Sequence, residues 1–254
     1  MCRMLALLTK NDFDKNIFTE FLSIAQNGAV KPNRTEGHLD GWGVAGFLAT
    51  YPTMFEKSKN NVLTEKDLYE NAINKVEISK SKFTIVHFRK ASEGKIRLEN
   101  THPFIHGEWV FAHNGTVLEK EKLPVIYNFC NGTTDSELLF NYIIENIGLN
   151  INFLPRLVDI LKHLKNNFKH TSLTFFLMNS DYFVAYREHS TKVAESGDSP
   201  SWNKDYYTMY YSKTGDCITF CSQPLKKICN WLPLKNSHLI VVNKDLEFEF
   251  DGKI

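Results

Sequence analysis

The sequence predicts an α+β protein in which layers of antiparallel strands carry helices on their outer faces. Strands and helices alternate through the first half of the 254-residue chain, and the second half is mostly strand. The chain is 43% hydrophobic and 23% charged, which is ordinary for a globular protein with a sizeable core. The polar stretch His189–Lys204 is typical of a surface loop, so we expect one domain over residues 2–254.

Helix signals are clearest at three places in the first half. In Asp14–Gln26 the apolar residues recur at helical spacing, and Gly28 follows as a stop signal. Thr64 with Asp67 predicts a short helix that begins with a capping box, and Thr134–Glu137 predicts a second capping box before an apolar helix. The other predicted elements are a helix over Phe153–Asn167 and the strands Arg3–Leu8, Trp42–Ala49, Thr84–Arg89 and Trp109–His113.

The second half contains β-branched and aromatic runs separated by turn residues. These runs predict the strands Thr171–Met178, Phe183–Arg187, Tyr206–Tyr211, Ile218–Ser222, His238–Val242 and Leu246–Phe250. Cys217 and Cys221 should lie on one face of their strand, because side chains alternate between the faces of a sheet. Their spacing is not that of a zinc pair and no second pair follows, so we expect no metal there.

Charge and hydropathy exclude several classes of function. The net charge is +1, without the basic excess that favours nucleic acid. No apolar run approaches the ~18 residues of a membrane helix, and the first ten residues are too quickly polar for a signal peptide. The H-x-x-x-H spacing of His102 and His106 lacks the glutamate of a zinc protease. We therefore expect a cytoplasmic protein with no cofactor and no metal.

Cys2 carries the most chemical information in the chain. Met1 is normally removed when so small a residue follows, and its removal would leave a thiol and a free α-amine on one residue. The ordinary pKa values of these two groups are about 8.5 and about 8, close enough for proton transfer between them. Cys2 is then a nucleophile with its own candidate base. The alternative is a small buried hydrophobic residue at the start of a strand.

Four short segments are richer in polar and glycine residues than ordinary loops. They are His38–Gly43, His87–Ala91, Asn100–Phe104 running on to His113-Asn114-Gly115, and Thr134–Glu137. Each has a structural explanation when taken singly. Asn-Gly after a strand is a strong hairpin signal, and Asp135 at the first helical position suits the helix dipole.

Together with Cys2, these segments resemble the class II glutamine amidotransferase family, whose domain is an N-terminal nucleophile hydrolase. The resemblance is carried by a second-position Cys, an H-x-R, a T-H-P, an H-N-G and a T-D-S-E segment in unbroken order, and Ser222–Leu225 extends it toward the end of the chain. It implies a four-layer αββα sandwich of antiparallel sheets. It also implies hydrolysis of a γ-glutamyl amide bond through a thioester on Cys2.

The resemblance assigns roles to six residues. Cys2 attacks the γ-amide carbonyl, and the Asn114 side-chain amide and the Gly115 backbone N–H bind the oxyanion. Loss of one such donor typically raises the barrier by about 3 kcal/mol. A further three residues hold the substrate: Arg89 binds its α-carboxylate as a bidentate fork, Asp135 binds its α-ammonium, and His102 shapes the pocket. The His38–Gly43 loop lies near this pocket without an assigned catalytic role.

Three functions remain open at this point. Lys90 stands where synthase-type members usually have an aromatic residue. One amidotransferase domain already fills about 250 residues, so we expect no second domain that consumes ammonia. The chain is therefore similar to stand-alone members such as the ergothioneine-pathway γ-glutamyl hydrolase and the glutathione-degrading subunit. The second function is a glutaminase subunit that delivers ammonia to a separate synthase chain. The third is an inactive relative with a regulatory role, which would require neither a nucleophile nor oxyanion donors.

Overall fold

A computed structural model describes residues 2–30, 37–92, 94–125, 130–148, 153–191 and 206–254. Its helices are α1 (Asn16–Asn27), α2 (Lys66–Ser79), α3 (Asp135–Ile147) and α4 (Phe153–Asn167). Its strands are β1 (Arg3–Thr9), β2 (Trp42–Leu48), β3 (Tyr51–Ser58), β4 (Phe83–Phe88), β5 (Phe104–His106), β6 (Trp109–Val117), β7 (His170–Met178), β8 (Tyr182–Arg187), β9 (Tyr210–Thr214), β10 (Cys217–Cys221), β11 (Leu232–Pro233), β12 (His238–Asn243) and β13 (Phe248–Lys253).

The strands form two antiparallel sheets. One has the order β11-β9-β10-β1-β4-β2-β3 and the other the order β13-β12-β8-β7-β6-β5. In the first sheet Arg3 pairs with Phe88, so the residues just beyond them, Cys2 and Arg89, lie at the same end of adjacent strands. In the second sheet Asn114 pairs with Thr174.

The hydrophobic core is divided into three layers by the alternation of side chains along each strand. In β1, Leu5 and Leu7 pack against α1 and α2, whereas Ala6 and Leu8 face the other sheet. A third cluster lies between the second sheet and helices α3 and α4. The result is a four-layer αββα sandwich, which confirms the predicted fold class.

The same alternation determines which site residues share the space between the sheets. In β6, Val110 and Ala112 belong to the core between the sheets, so Asn114 lies on that face as well. His113 lies on the opposite face, where its ring stacks on Phe111 at 6.2 Å between ring centroids. The side chains of His113 and Asn114, which are neighbours in one motif, therefore lie in different layers.

Several predicted elements differ from the structure. The capping box of Thr64 and Asp67 is wrong, because Glu65 occupies the N-cap of α2 without a side-chain cap and the Thr64 hydroxyl donates to Asn61 O at 2.8 Å. Asn114-Gly115 does not form a hairpin turn, because β6 continues to Val117 and pairs with β7.

Two strand predictions were displaced, and three observed strands, β3, β5 and β11, were missed. The strand predicted at Tyr206–Tyr211 is Tyr210–Thr214, and the strand predicted at Leu246–Phe250 is Phe248–Lys253, after a turn in which Leu246 has φ 60°. Tyr51–Ser58 is an edge strand that the sequence did not predict. Most of the loop predicted at His189–Lys204 lies outside the described residues.

Candidate active site

The ends of β1 and β4 bring the proposed nucleophile beside the proposed carboxylate-binding residue. The Lys90 backbone N–H donates to Cys2 Sγ at 3.3 Å, and the thiol donates to Lys90 O at 3.6 Å. Burial raises the pKa of the Cys2 thiol above its ordinary value, while the Lys90 N–H and the Arg89 guanidinium lower it and Asp40 raises it. The thiol therefore needs a base to become a nucleophile at neutral pH.

A small cavity of about 20 Å³ brings five of the six predicted site residues together. Its lining includes Cys2, Arg89, His102, Gly115 and Asp135. These residues come from five separate places in the sequence, and the two sheets and the start of α3 bring them around one space. The cavity is also lined by Lys90, Ser92, His113, Thr134 and Ser136.

Arg89 is 3% exposed and held by the backbone of the following loop. Its guanidinium donates to Lys95 O at 3.3 Å and to Gly94 O at 3.5 Å. Burial lowers the pKa of Arg89, and the negative charges of Asp40 and Asp135 counteract that shift. Because an arginine stays protonated throughout the ordinary pH range, the cavity contains a fixed positive charge.

Asp135 is placed by the N-terminus of α3. Thr134 is the N-cap, and its hydroxyl accepts from the Glu137 backbone N–H at 3.3 Å, which confirms one half of the predicted capping box. The Glu137 carboxylate accepts instead from the Asn131 and Gly132 N–H groups. Asp135 Oδ2 accepts from the Val117 N–H at 2.8 Å, and the residue is 2% exposed. This bond joins the helix to the end of β6 and fixes the carboxylate in the cavity wall, where it complements the helix dipole.

Only glycine fits at position 115. A Cβ atom on Gly115 would lie 1.9 Å from Ser172 O, because β6 and β7 approach closely there. The preceding residue, Asn114, is fully buried and neither atom of its side-chain amide has a hydrogen-bond partner among the described residues. Buried amides in folded proteins are normally paired. Asn114 thus has an unused donor and an unused acceptor, and it is the one predicted site residue that does not line the cavity.

Buried histidines form one wall of the cavity. His102 stacks on His87 with 4.3 Å between ring centroids, and burial lowers the pKa of both rings well below the ordinary value. The ring of His113 is held by Ser136 Oγ at 3.0 Å and Ser172 O at 3.1 Å, and burial lowers its pKa to about 4. All three rings are therefore neutral at neutral pH.

The loop His38–Gly43 contributes a residue that the sequence did not identify. Asp40 Oδ2 accepts from the Ala91 N–H at 2.8 Å, and the Asp40 N–H donates to Arg89 O at 3.0 Å. A Cβ on Gly43 would lie 2.5 Å from His102 O, so this loop packs directly on the segment that contains His102. The only indication of Asp40 in the sequence was an acidic residue within a loop that contains glycine.

Within the described ranges no group of three or more His, Cys, Asp or Glu side chains is arranged to hold a metal ion. No helix in these ranges combines the length and the apolar character needed to cross a membrane. Cys217 and Cys221 both contact the core on the α1 and α2 side of the first sheet, as their spacing predicts.

The four-layer sandwich, with a cysteine at the start of its first strand, has the fold of the N-terminal nucleophile hydrolases. Residues 1–197 match the family model of the class-II glutamine amidotransferases, and the chain belongs to this family. Membership indicates amidohydrolase chemistry on the amide of a small molecule such as glutamine.

Individual relatives agree with this assignment. The chain is 26% identical to a Haemophilus influenzae protein named "Putative glutamine amidotransferase", over 94% of this chain and 83% of the relative. A glutamine aminotransferase class-II domain protein from Silicibacter pomeroyi aligns over 95% of each chain with a TM-score of 0.61 at 18% identity. The glutamine phosphoribosylpyrophosphate amidotransferase of B. subtilis aligns over 98% of this chain and 49% of its own length, with a TM-score of 0.63 at 15% identity. The two structural matches show the shared fold.

Proposed function

We propose that this protein hydrolyses the γ-glutamyl amide bond of glutamine or of a small γ-glutamyl conjugate through a thioester on Cys2. The observation that supports this most is the shared cavity, in which a thiol, a guanidinium and a carboxylate meet. The unpartnered amide of Asn114 belongs to the residue just before Gly115, which lines that cavity. The guanidinium of Arg89 and the carboxylate of Asp135 complement the two charges of an α-amino acid. The thiol of Cys2 supplies the nucleophile.

The reaction begins when the α-amine of Cys2, exposed by removal of Met1, accepts the thiol proton. Sγ then bonds to the γ-carbonyl carbon, and the resulting oxyanion accepts hydrogen bonds from Asn114 Nδ2 and the Gly115 N–H. The carbon–nitrogen bond breaks as the α-ammonium returns its proton to the leaving nitrogen. A water molecule adds to the thioester, its proton passes to the α-amine, and glutamate leaves as the thiol is restored.

The proposed role of Asn114 as an oxyanion donor rests on its side-chain amide, which has no hydrogen-bond partner among the described residues. Its amide makes no hydrogen bond among the described residues, so Asn114→Ala removes no native bond. We expect kcat to fall by about 10²-fold or more, as for other oxyanion donors, while denaturant unfolding changes only through the small cavity created. Retention of near-normal kcat in a folded Asn114→Ala variant would reject the assigned donor.

Lys90 favours the conjugate over free glutamine as substrate. It lines the cavity next to Cys2, at the position where synthase-type members carry an aromatic residue. A lysine there suits a leaving group that carries a carboxylate. The purified chain should cleave γ-glutamyl dipeptides faster than glutamine, as measured by release of glutamate.

Assays of the purified chain with glutamine and γ-glutamyl dipeptides also distinguish the proposed hydrolase from the two alternative functions. Ammonia release from glutamine that increases only when a synthase chain is added would indicate an ammonia-delivering subunit. The absence of any cleavage by the chain that begins at Cys2, with intact folding, would indicate an inactive regulatory relative. We further propose that residues 2–254 act as a single domain in the cytoplasm, with a small molecule and neither nucleic acid nor membrane as partner.

A further inference from the structure

A second and larger cavity lies directly behind the wall of the catalytic cavity. Its volume is about 350 Å³, and it shares no lining residue with the first. The two are nonetheless adjacent, because His102 lines the first and Pro103 the second, and Ser136 lines the first and Glu137 the second. The proposed chemistry uses no residue of the second cavity.

Lys57 of β3 is the one lysine in the lining of this second cavity. Its Nζ lies 5.1 Å from the centroid of the Phe104 ring, and no described residue forms an ion pair or a side-chain hydrogen bond with it. Burial lowers the pKa of Lys57 to about 8, while Glu137 and Glu99 raise it and Arg89 lowers it. The contact with the Phe104 ring is a cation–π contact. A partly buried ammonium without an ion-pair partner still costs folding free energy, which a bound anion would offset.

The acidic residues nearby do not neutralise this charge directly. The Glu137 carboxylate accepts from the Asn131 N–H at 2.9 Å and from the Gly132 N–H at 2.7 Å. These two bonds hold the carboxylate against the loop that precedes α3. His106 Nδ1 is bonded to Asn141 Oδ1 at 2.7 Å. The carboxylates of Glu99 and Glu137 also line the cavity and repel any anion, a doubly charged one such as phosphate most strongly. Among anions, one with a single charge is therefore the least disfavoured.

The remaining lining is largely apolar. Met54, Leu98, Ile105 and Phe140 surround the space beside Phe104. A volume of this size falls in the range of about 300–1,000 Å³ that is typical of small-molecule sites, in which apolar walls enclose a few polar groups. The cavity therefore presents the Lys57 ammonium and an apolar wall to the same ligand, with the Glu99 and Glu137 carboxylates also in its lining.

We propose that this cavity is a second binding site, which takes a small carboxylate with an apolar body. The carboxylate pairs with the Lys57 ammonium, and the apolar body packs against Phe104, Ile105 and Phe140. The proposal is independent of the proposed γ-glutamyl hydrolysis, because binding here requires neither Cys2 nor the catalytic cavity.

Hexanoate and its uncharged analogue hexanamide are suitable probes, added to the full chain in a chemical-shift titration. We expect saturable binding of hexanoate and at least tenfold weaker binding of hexanamide. Lys57→Met should weaken hexanoate binding at least tenfold, and Lys59→Met, which removes an exposed lysine two residues along the chain, should leave it unchanged.

Arg89→Gln distinguishes this site from the catalytic cavity, whose guanidinium could also attract a carboxylate. We expect Arg89→Gln to retain hexanoate binding. Lys57→Gln, with circular dichroism to verify folding, repeats the test with a polar side chain in place of Met. The proposal is overturned if hexanoate shows no saturable binding, if hexanamide binds equally well, if both Lys57 variants keep wild-type affinity, or if Arg89→Gln abolishes binding.

Discussion

At the residue scale, each group in the candidate active site is held in a different way. The Cys2 thiol is fixed by the Lys90 backbone, and the Asp135 carboxylate by the Val117 N–H. Asn114 differs from them, because its amide is buried and has no partner among the described residues. The ring nitrogens of His102 are likewise buried and without a hydrogen-bond partner among the described residues. The motif spacing predicted which residue types would meet, but the missing partner of Asn114 depends on the packing around β6.

Gly115 tests how closely β6 must approach β7. In Gly115→Ala the new Cβ would lie 1.9 Å from Ser172 O, so the strands must separate. We expect the free energy of unfolding to fall by about 1–3 kcal/mol, the usual cost of overpacking, together with loss of activity. Gly107→Asn is the control in urea unfolding, since no atom lies within 4 Å of its Cβ position and asparagine tolerates its positive φ of 57°. Equal stability of Gly115→Ala and wild type would contradict the geometry.

The buried histidines predict how stability depends on pH. His113 has a pKa of about 4 in the folded protein and an ordinary value of 6.5, because burial disfavours its charged form. The unfolded chain therefore binds this proton more readily. The stabilisation is complete above about pH 6.5 and is lost as the pH falls toward about 4, by up to about 3 kcal/mol for this residue.

Urea unfolding at pH 7 and at pH 5 measures this effect. We expect the free energy of unfolding to decrease at the lower pH, with His87 and His102 contributing in the same direction. In His113→Gln the decrease should be smaller, because one of the three titrating rings is gone. An unfolding free energy that stays constant between the two pH values would contradict the burial of these rings.

At the element scale, helix termini and strand ends place the chemistry. The spacing of apolar residues predicted α4 with its observed bounds, and it located β1 and α1 to within a few residues. The edge strand Tyr51–Ser58 was missed because it is half-exposed and contains a proline, so it lacks clean alternation. The strand predicted at Tyr206–Tyr211 begins later, at Tyr210, and Tyr206 is instead buried with its ring centroid 5.4 Å from the Arg3 guanidinium. Such contacts cannot be seen from local sequence.

The cap of α3 is expected to matter for both stability and substrate binding. Thr134→Ala removes the hydroxyl that accepts the Glu137 N–H, at a cost of about 1 kcal/mol. Because Asp135 is the next residue, we also expect the KM for a γ-glutamyl substrate to rise. Thr64→Ala is the matched control, since Thr64 caps no helix and should change unfolding by only a few tenths of a kcal/mol. Indistinguishable unfolding and KM in the two variants would argue against the cap.

At the scale of the whole molecule, the sandwich makes a site out of distant segments. Cys2, Arg89 and Asp135 are far apart in sequence, and they meet because β1 and β4 are neighbours and α3 packs on the facing sheet. The family resemblance predicted this meeting through ordered motifs, whereas composition and periodicity alone reached only the layered α+β class. The second cavity and Lys57 were not predicted, because a missed edge strand supplies the lysine.

In the proposed reaction, the sulfur of Cys2 becomes covalently linked to the γ-glutamyl group during turnover. The most direct test is intact and peptide-level mass spectrometry of the protein after acid quenching during cleavage of a chromogenic γ-glutamyl anilide. We expect the mature chain to begin at Cys2 and to carry a glutamyl adduct on that residue, and we expect Cys2→Ala to show neither adduct nor cleavage. Unimpaired cleavage by Cys2→Ala, or an adduct on a different residue, would contradict the account.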